Sequence, residues 1–155
     1  MSAVSNSGRA AIIALFLASC STTPPIAEYP TTLQCVNCQT LRVLRVIDGD
    51  TFDTPAGRVR LFGVDTPERG RPCSKQATGW LRGLADNTVR VEPGPRAQDR
   101  GGRLLYYVYT QKGNSIDELL IREGLAAAWT RDGQHRDLLV KLARETRQAG
   151  TGCLR

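Results

Sequence analysis

The sequence turns on Val59-Arg60-Leu61-Phe62-Gly63-Val64-Asp65-Thr66-Pro67-Glu68, an apolar, strand-like run that ends in two acids. Upstream, Leu44-Arg45-Val46-Ile47 ends the same way, in Asp48-Gly49-Asp50-Thr51. Each segment therefore delivers carboxylates at its end, and Arg60 sits inside the second. A basic chain that gathers acids at two strand ends can hold a hard cation against an anionic substrate. Glu68 is then left over as a candidate general base. This is the pattern of a metal-dependent phosphodiesterase.

Asp48 and Asp50 are two apart, so on an extended chain they point to the same side, and Gly49 lets the backbone turn between them. Taken alone, the pair also reads as an Asp-Gly turn between strands. The second cluster changes the balance: Asp65 ends a strand, Thr66 offers a hydroxyl or carbonyl, and Pro67 fixes the backbone before Glu68. Oxygen donors without a neighbouring His or Cys indicate Ca²⁺ or Mg²⁺ and not zinc. Arg60, and Arg103 after Asp99-Arg100-Gly101-Gly102, are the candidate phosphate clamps, since a guanidinium fork takes two oxygens at once. As ordinary surface groups, Glu68, Arg60 and Arg103 would need no such role.

Working outward, alternation over residues 40–47, 51–54 and 58–64 reads as three strands, the last two joined by a turn at Pro55-Ala56-Gly57. Ala77, Trp80, Leu81 and Leu84 recur at helical spacing over 74–85, with Ser74 as N-cap. A short strand at 88–92 is ended by Pro93-Gly94-Pro95, and 104–110 is a further strand. Helices follow at 116–123, stopped by Gly124, and at 134–149, with Leu138, Leu142 and Ala149 as the buried stripe of the latter. The fold class is α+β: five mostly antiparallel strands that curl into a barrel, with three helices. His135, the only histidine, reads as exposed at a helix start, and its solitude excludes nucleases built on two histidines. Trp80, Trp129 and Tyr107 read as core aromatics. Asp117, Glu118 and Arg122 read as caps and decoration of a helix.

The formal charge is +6, carried by 18 Arg and 3 Lys, which favours a polyanionic partner. Residues 1–19 read as an export signal: Arg9 gives a positive start, residues 10–19 are apolar, and Leu17-Ala18-Ser19-Cys20 resembles a lipobox. That run is about half the roughly 20 residues needed to span a bilayer. Cleavage before Cys20 with lipid on its sulfur is expected, and the other reading of Cys20 is half of a disulfide. Residues 20–39, rich in Thr and Pro, read as a tether, and 40–155 as one domain. Location is then extracytoplasmic, on the cell envelope.

Cys35, Cys38, Cys73 and Cys153 remain, an even number in an exported domain, which most simply means two disulfides in one of three connectivities. A bridge between Cys73 and Cys153 would tie the C-terminal tail to the barrel. A four-cysteine zinc site and a redox-active Cys35/Cys38 pair are the competing readings.

Val46-Ile47-Asp48-Gly49-Asp50-Thr51, the Arg60–Glu68 stretch and Asp99-Arg100-Gly101-Gly102-Arg103-Leu104 resemble, in order, the signature blocks of the thermonuclease (staphylococcal nuclease) family. Residues 116–126 resemble its second helix. The resemblance implies an OB-fold barrel and Ca²⁺-dependent endonucleolytic hydrolysis of DNA and RNA. Asp50, Asp65 and the Thr66 carbonyl would hold the metal, Glu68 would act on the attacking water, and Arg60 and Arg103 would clamp the phosphate. Water would expel the 5′-oxygen and leave a 3′-phosphate. The stretch 69–73 is shorter than the mobile lysine-rich loop of the best-known member. Gly101 and Thr130 fall where tyrosines of its nucleotide pocket are expected, and Cys153 lies near its C-terminal tryptophan position.

The expected partners are nucleic acid and, through Cys20, a membrane, with the protein a monomer. The alternatives are a non-catalytic OB-fold module that binds single strands by charge and stacking, and an envelope lipoprotein that merely uses this fold. Neither explains acids set among arginines.

Overall fold

The computed structural model describes residues 31–154, so the expected export signal and Cys20 lie outside the described residues. Eight strands and three helices follow in the order β1 (Gln39–Arg42), β2 (Arg45–Val46), β3 (Thr51–Thr54), β4 (Gly57–Leu61), β5 (Val64–Asp65), α1 (Ser74–Ala85), β6 (Thr88–Gln98), β7 (Leu104–Tyr109), α2 (Ile116–Arg122), β8 (Ala127–Ala128) and α3 (Arg136–Gln148). The fold is α+β, as expected, with six strands in the main sheet where five were expected. Their order is β1-β6-β7-β4-β3-β2, and β5 pairs with β8 in a second, two-stranded sheet.

The sixth strand arises because the expected strand over 40–47 breaks in two. β1 pairs with β6 and β2 pairs with β3. Between them the Val43 N–H donates to Asn87 at 2.9 Å and the Leu44 N–H to Asp53 at 2.8 Å. Both edges of the sheet are thus made by one bent stretch, and the sheet curls on itself. Inside it Phe52, Val59, Leu61, Val89 and Val108 are fully buried against Leu81 and Ala85 of α1 and Ile116 and Leu120 of α2. Each of the larger side chains contributes about 1.5–3 kcal/mol by leaving water, and together they fix the frame on which the site stands.

Two other boundaries differ from expectation. Pro93-Gly94-Pro95 does not end β6, which runs on to Gln98 through a register shift against β7. β1 pairs no further along β6 than Val91, so the proline sits where β6 has become an edge and has a bulge to absorb it. Gly94 is required by packing: a Cβ there would lie 2.5 Å from the Phe62 ring. The strand expected over 58–64 is interrupted at Phe62-Gly63, where the Gly63 N–H donates to Asp117 Oδ1 at 2.9 Å and its carbonyl accepts from the Trp129 N–H at 2.9 Å. The chain re-forms as β5 against the short β8.

The helices lie where expected, with corrections at their ends and faces. Cys73, in a left-handed conformation, precedes α1 and makes no side-chain cap, while the Ser74 hydroxyl donates to the Arg71 carbonyl at 2.8 Å. In α3 Leu142 packs on the core as expected, but the buried position is Leu139, with Ala143 beside it, while Leu138 is half-buried and Ala149 exposed. Asp117 and Glu118 are not decoration, since both are fully buried. Glu118 accepts from the Thr32 and Leu33 N–H groups at 2.9 Å each and from Arg122 Nη2 at 2.7 Å. The end of the stretch read as a tether is therefore docked on α2, where Thr31 is buried and the Cys35 N–H donates to the Gly113 carbonyl. Composition suggested a free linker there because the docking uses backbone groups.

Disulfides join Cys35 to Cys38 and Cys73 to Cys153. The second ties the C-terminal tail to the start of α1, and the tail also bonds Gly124 through the Leu154 N–H. His135 is not simply exposed: its Nε2 lies 2.9 Å from Glu92 Oε2, and its ring meets Tyr107 edge-on. Burial works against the charge on Glu92, but donors from Tyr109, His135 and Gln134 outweigh it and hold the carboxyl below its usual range.

Candidate active site at the two acidic strand ends

The Asp48–Thr51 turn delivers Asp50 at the start of β3, nearly buried. Its Oδ2 accepts both the backbone N–H and the hydroxyl of Thr66, each at 3.0 Å, and its Oδ1 accepts the Thr51 hydroxyl at 2.9 Å. The first acidic turn is thereby fastened to the residue that follows β5. Gly49 serves this junction by lacking a side chain and not by a left-handed turn: a Cβ would lie 2.7 Å from Thr66 Oγ1 and from Ala77 Cβ. Asp48 Oδ1 accepts the Asp50 N–H at 3.2 Å. Burial, and next the neighbouring Asp50 carboxylate, push the Asp48 carboxyl above its usual range.

Arg60 leaves β4 on the same side. Nη1 donates to the carbonyls of Leu61 and Val64, at 3.0 and 3.2 Å, which fixes the guanidinium plane. Nη2 then lies 2.6 Å from Asp65 Oδ1 and 3.7 Å from Asp50 Oδ2. Two carboxylates from different strand ends converge on one cationic nitrogen, so positive charge at that point is already favoured. The donors around it are all oxygen, a set that fits a hard divalent cation. Among the described residues no group of three or more His, Cys, Asp or Glu is poised to hold a metal. Any ion here would rest on two carboxylates and Thr66, with water completing its shell.

Glu68, three residues beyond Asp65, is exposed and its carboxylate has no hydrogen-bond partner among the described residues, while its carbonyl accepts the Arg71 N–H. Arg103 approaches from the loop before β7. Asp99 Oδ1 accepts the N–H groups of Gly101 and Arg103 at 2.9 and 3.0 Å, which shapes the glycine turn, and Asp99 Oδ2 takes Arg103 Nε at 2.6 Å. Burial opposes the charge on Asp99, and these bonds overcome it, leaving the carboxyl below its usual range. Arg60 and Arg103 line one cavity of about 170 Å³ with Trp129. The structure thus brings Asp50, Arg60, Asp65 and Thr66 into contact, sets Arg103 across a shared cavity, and leaves Glu68 beside the cluster.

Sequence reasoning missed part of the wall. Trp129 packs against the core but is only partly buried, with a polar side turned to the site. Its Nε1 donates to Asp132 Oδ1 at 2.7 Å, and the guanidinium groups of Arg131 and Arg60 lie 5.2 and 5.9 Å from its ring centroid. Asp132 also pairs with Arg96 at 2.8 Å, and Arg96 stacks on Phe62. Next to them lies an open groove of about 990 Å³ lined by Arg58, Arg96, Arg100, Arg103 and Arg131. The arginine-rich composition hinted at such a groove without locating it.

Residues 58–153, from β4 through the C-terminal tail, match the model of the staphylococcal nuclease homologue family. The chain belongs to that family. It is 40% identical over 107 residues to a thermonuclease of Staphylococcus hyicus, covering 62% of this chain and 63% of that one. It is 36% identical over 117 residues to an uncharacterized endonuclease of Escherichia coli O157:H7, covering 72% and 74%. A thermonuclease of Staphylococcus intermedius matches at 40% over 98 residues, covering 56% and 57%. The chain thus spans somewhat less than two thirds of the length of the two staphylococcal nuclease relatives. As a member of this family it holds Arg60, Asp65, Glu68 and Arg103 within the matched region, and Asp50 just before it.

Proposed function

We propose that the protein is a calcium-dependent endonuclease that hydrolyses phosphodiester bonds of DNA and RNA and leaves 3′-phosphate ends. The carrying observation is the convergence of Asp50 and Asp65 on the Arg60 guanidinium, across one cavity from Arg103. Membership of the staphylococcal nuclease homologue family supports the same reading, and the curled sheet, whose two edges are one bent stretch, is consistent with an OB-fold barrel.

Asp50, Asp65 and the Thr66 carbonyl would hold Ca²⁺, which when bound supplies positive charge to the substrate phosphate. Arg60 and Arg103 would each exchange a carboxylate partner for phosphate oxygens and neutralise charge that grows as the phosphorus gains a fifth oxygen. Glu68, with its carboxylate unengaged, would take a proton from the attacking water or orient it. A module that only binds nucleic acid needs neither the paired acids nor a free carboxylate beside them.

We also place the protein outside the cytoplasm, anchored by lipid on Cys20 and acting as a monomer. The lipobox-like Leu17-Ala18-Ser19-Cys20 supports this, as do two disulfides, which persist in oxidising compartments. Incubating the purified protein with plasmid and with RNA, in Ca²⁺ and in chelator, tests the activity. Cleavage of both in Ca²⁺ alone, with phosphate on the 3′ ends, is expected, whereas 5′-phosphate ends or intact substrates would refute it.

A further inference from the structure

A second basic groove adjoins the acidic cluster at Asp48. It has a volume of about 370 Å³ and is lined by Asp48, Arg69, Ser74, Lys75, Thr78 and Arg82. Lys75, Thr78 and Arg82 are spaced three and four apart, so they share one face of α1, opposite the buried Ala77, Leu81 and Leu84. The hydroxyls are already engaged, Ser74 with the Arg71 carbonyl and Thr78 with the Ser74 carbonyl at 2.7 Å. Recognition of a ligand here must come from the cations.

Those cations are available. Lys75 and Arg82 are exposed and make no ion pair or side-chain hydrogen bond among the described residues. Among the described residues Arg69 donates only to the Ile47 carbonyl, at 3.2 Å, and that bond holds it over the groove. Three positive groups face a single carboxylate, Asp48. By contrast, Arg58, Arg96 and Arg103 of the large groove are each paired with an aspartate, leaving Arg100 and the Trp129-stacked Arg131 as its cations without a salt bridge among the described residues.

The two grooves are joined by contacts through the cluster. Asp48 accepts from the Asp50 backbone, Asp50 lies 3.7 Å from Arg60, and Arg60 shares a cavity with Arg103, which also lines the large groove. Positive charge in two grooves therefore adjoins the acids, which suits a polyanion longer than one nucleotide.

We propose that the α1 groove is the binding site for the part of a nucleic-acid strand on the Glu68 side of the scissile bond, with the strand crossing the acidic cluster from Lys75 and Arg82 toward Arg100 and Arg131. This rests on the nuclease reading above. It makes Lys75 and Arg82 residues of substrate-length preference, acting on flanking phosphates and not on the reacting one.

The test is binding of a labelled single-stranded oligonucleotide in chelator, where hydrolysis plays no part, together with hydrolysis of a dinucleotide in Ca²⁺. Lys75→Glu/Arg82→Glu should weaken oligonucleotide binding about tenfold and lower the salt-dependence slope by about 1.4, since each single-strand phosphate contact contributes about 0.7. Its kcat/KM on the dinucleotide should equal that of the unaltered protein. The control is Arg144→Glu/Arg147→Glu on the exposed face of α3, which makes the same change in net charge and should leave the slope alone. Unchanged oligonucleotide binding in the α1 variant, an equal loss in the α3 variant, or an equal loss on the dinucleotide would each overturn the proposal. Selective weakening by the α1 pair in a protein that cleaves neither substrate would leave the groove standing and overturn the nuclease reading.

Discussion

Asp117 Oδ1 accepts the backbone N–H of Gly63 at 2.9 Å, across 54 residues of sequence. Its other oxygen takes the Val108 N–H at 3.0 Å, so one buried side chain of α2 holds the break between β4 and β5 against β7. That break aims Asp65 at Arg60. No side chain larger than hydrogen fits at Gly63, where a Cβ would lie 2.5 Å from Leu139.

A pH dependence follows. Burial raises the Asp117 carboxyl to about 6, although the N–H groups of Val108 and Gly63 work in the opposite direction. Between the ordinary value of 3.8 and about 6 the folded protein keeps a proton that the unfolded chain has lost. This group's contribution therefore favours folding at acid pH and is lost as pH rises through that window. Compared with Asp117→Asn, the unaltered protein should lose on the order of 3 kcal/mol of stability between about pH 4 and pH 6, and none beyond. Urea denaturation of both proteins across that range checks it, and a constant difference would mean that Asp117 is ionised throughout.

Glu118 holds residues 31–33 through two backbone N–H groups. Replacing it with Gln puts an amide against one of those donors and breaks the charged bond to Arg122, at a cost of about 1–3 kcal/mol. Hydrogen exchange at the Thr32 and Leu33 amides should accelerate, while that of β7 stays slow relative to it. Unchanged protection at both amides would contradict the role assigned to Glu118.

Cys73 and Cys153 close a loop of 80 residues. By the chain-entropy model such a bridge contributes about 4 kcal/mol, whereas Cys35–Cys38, three residues apart, contributes much less. Thermal denaturation of Cys73→Ser/Cys153→Ser and of Cys35→Ser/Cys38→Ser should show a large loss for the first pair and a small one for the second. Equal losses would contradict the ordering.

What the sequence made legible was local. Ala77, Leu81 and Leu84 recur at a helical period, and α1 spans the expected residues. The acids at two strand ends are visible because each follows its own apolar run. What stayed hidden depends on partners far along the chain: Glu92 with His135, 43 residues apart, and Glu118 with Thr32, 86 apart. Trp129 read as core because its polar contact, Asp132, is held in turn by Arg96. Pro93 read as a strand end because nothing local shows that β1 stops pairing at Val91.

Glu68→Gln and Arg103→Ala should each fold and lose about two orders of magnitude or more in kcat, as is typical for removing a proton acceptor or a charge stabiliser. Glu68 is exposed and the Arg103 side chain is bonded, among the described residues, to Asp99 alone, so unchanged circular dichroism is expected of both. Hydrolysis near the unaltered rate in either variant would refute the assigned roles.

The most direct test titrates Ca²⁺ calorimetrically into the unaltered protein and into Asp50→Asn, with hydrolysis of a plasmid followed on the same samples. Asparagine can still accept from Thr66, so the turn should survive while a negative charge is removed. Two carboxylates completed by water bind Ca²⁺ modestly, and both the binding heat and hydrolysis should disappear together in the variant. Undiminished Ca²⁺ binding by Asp50→Asn, or cleavage that persists in chelator, would place the metal or the chemistry elsewhere.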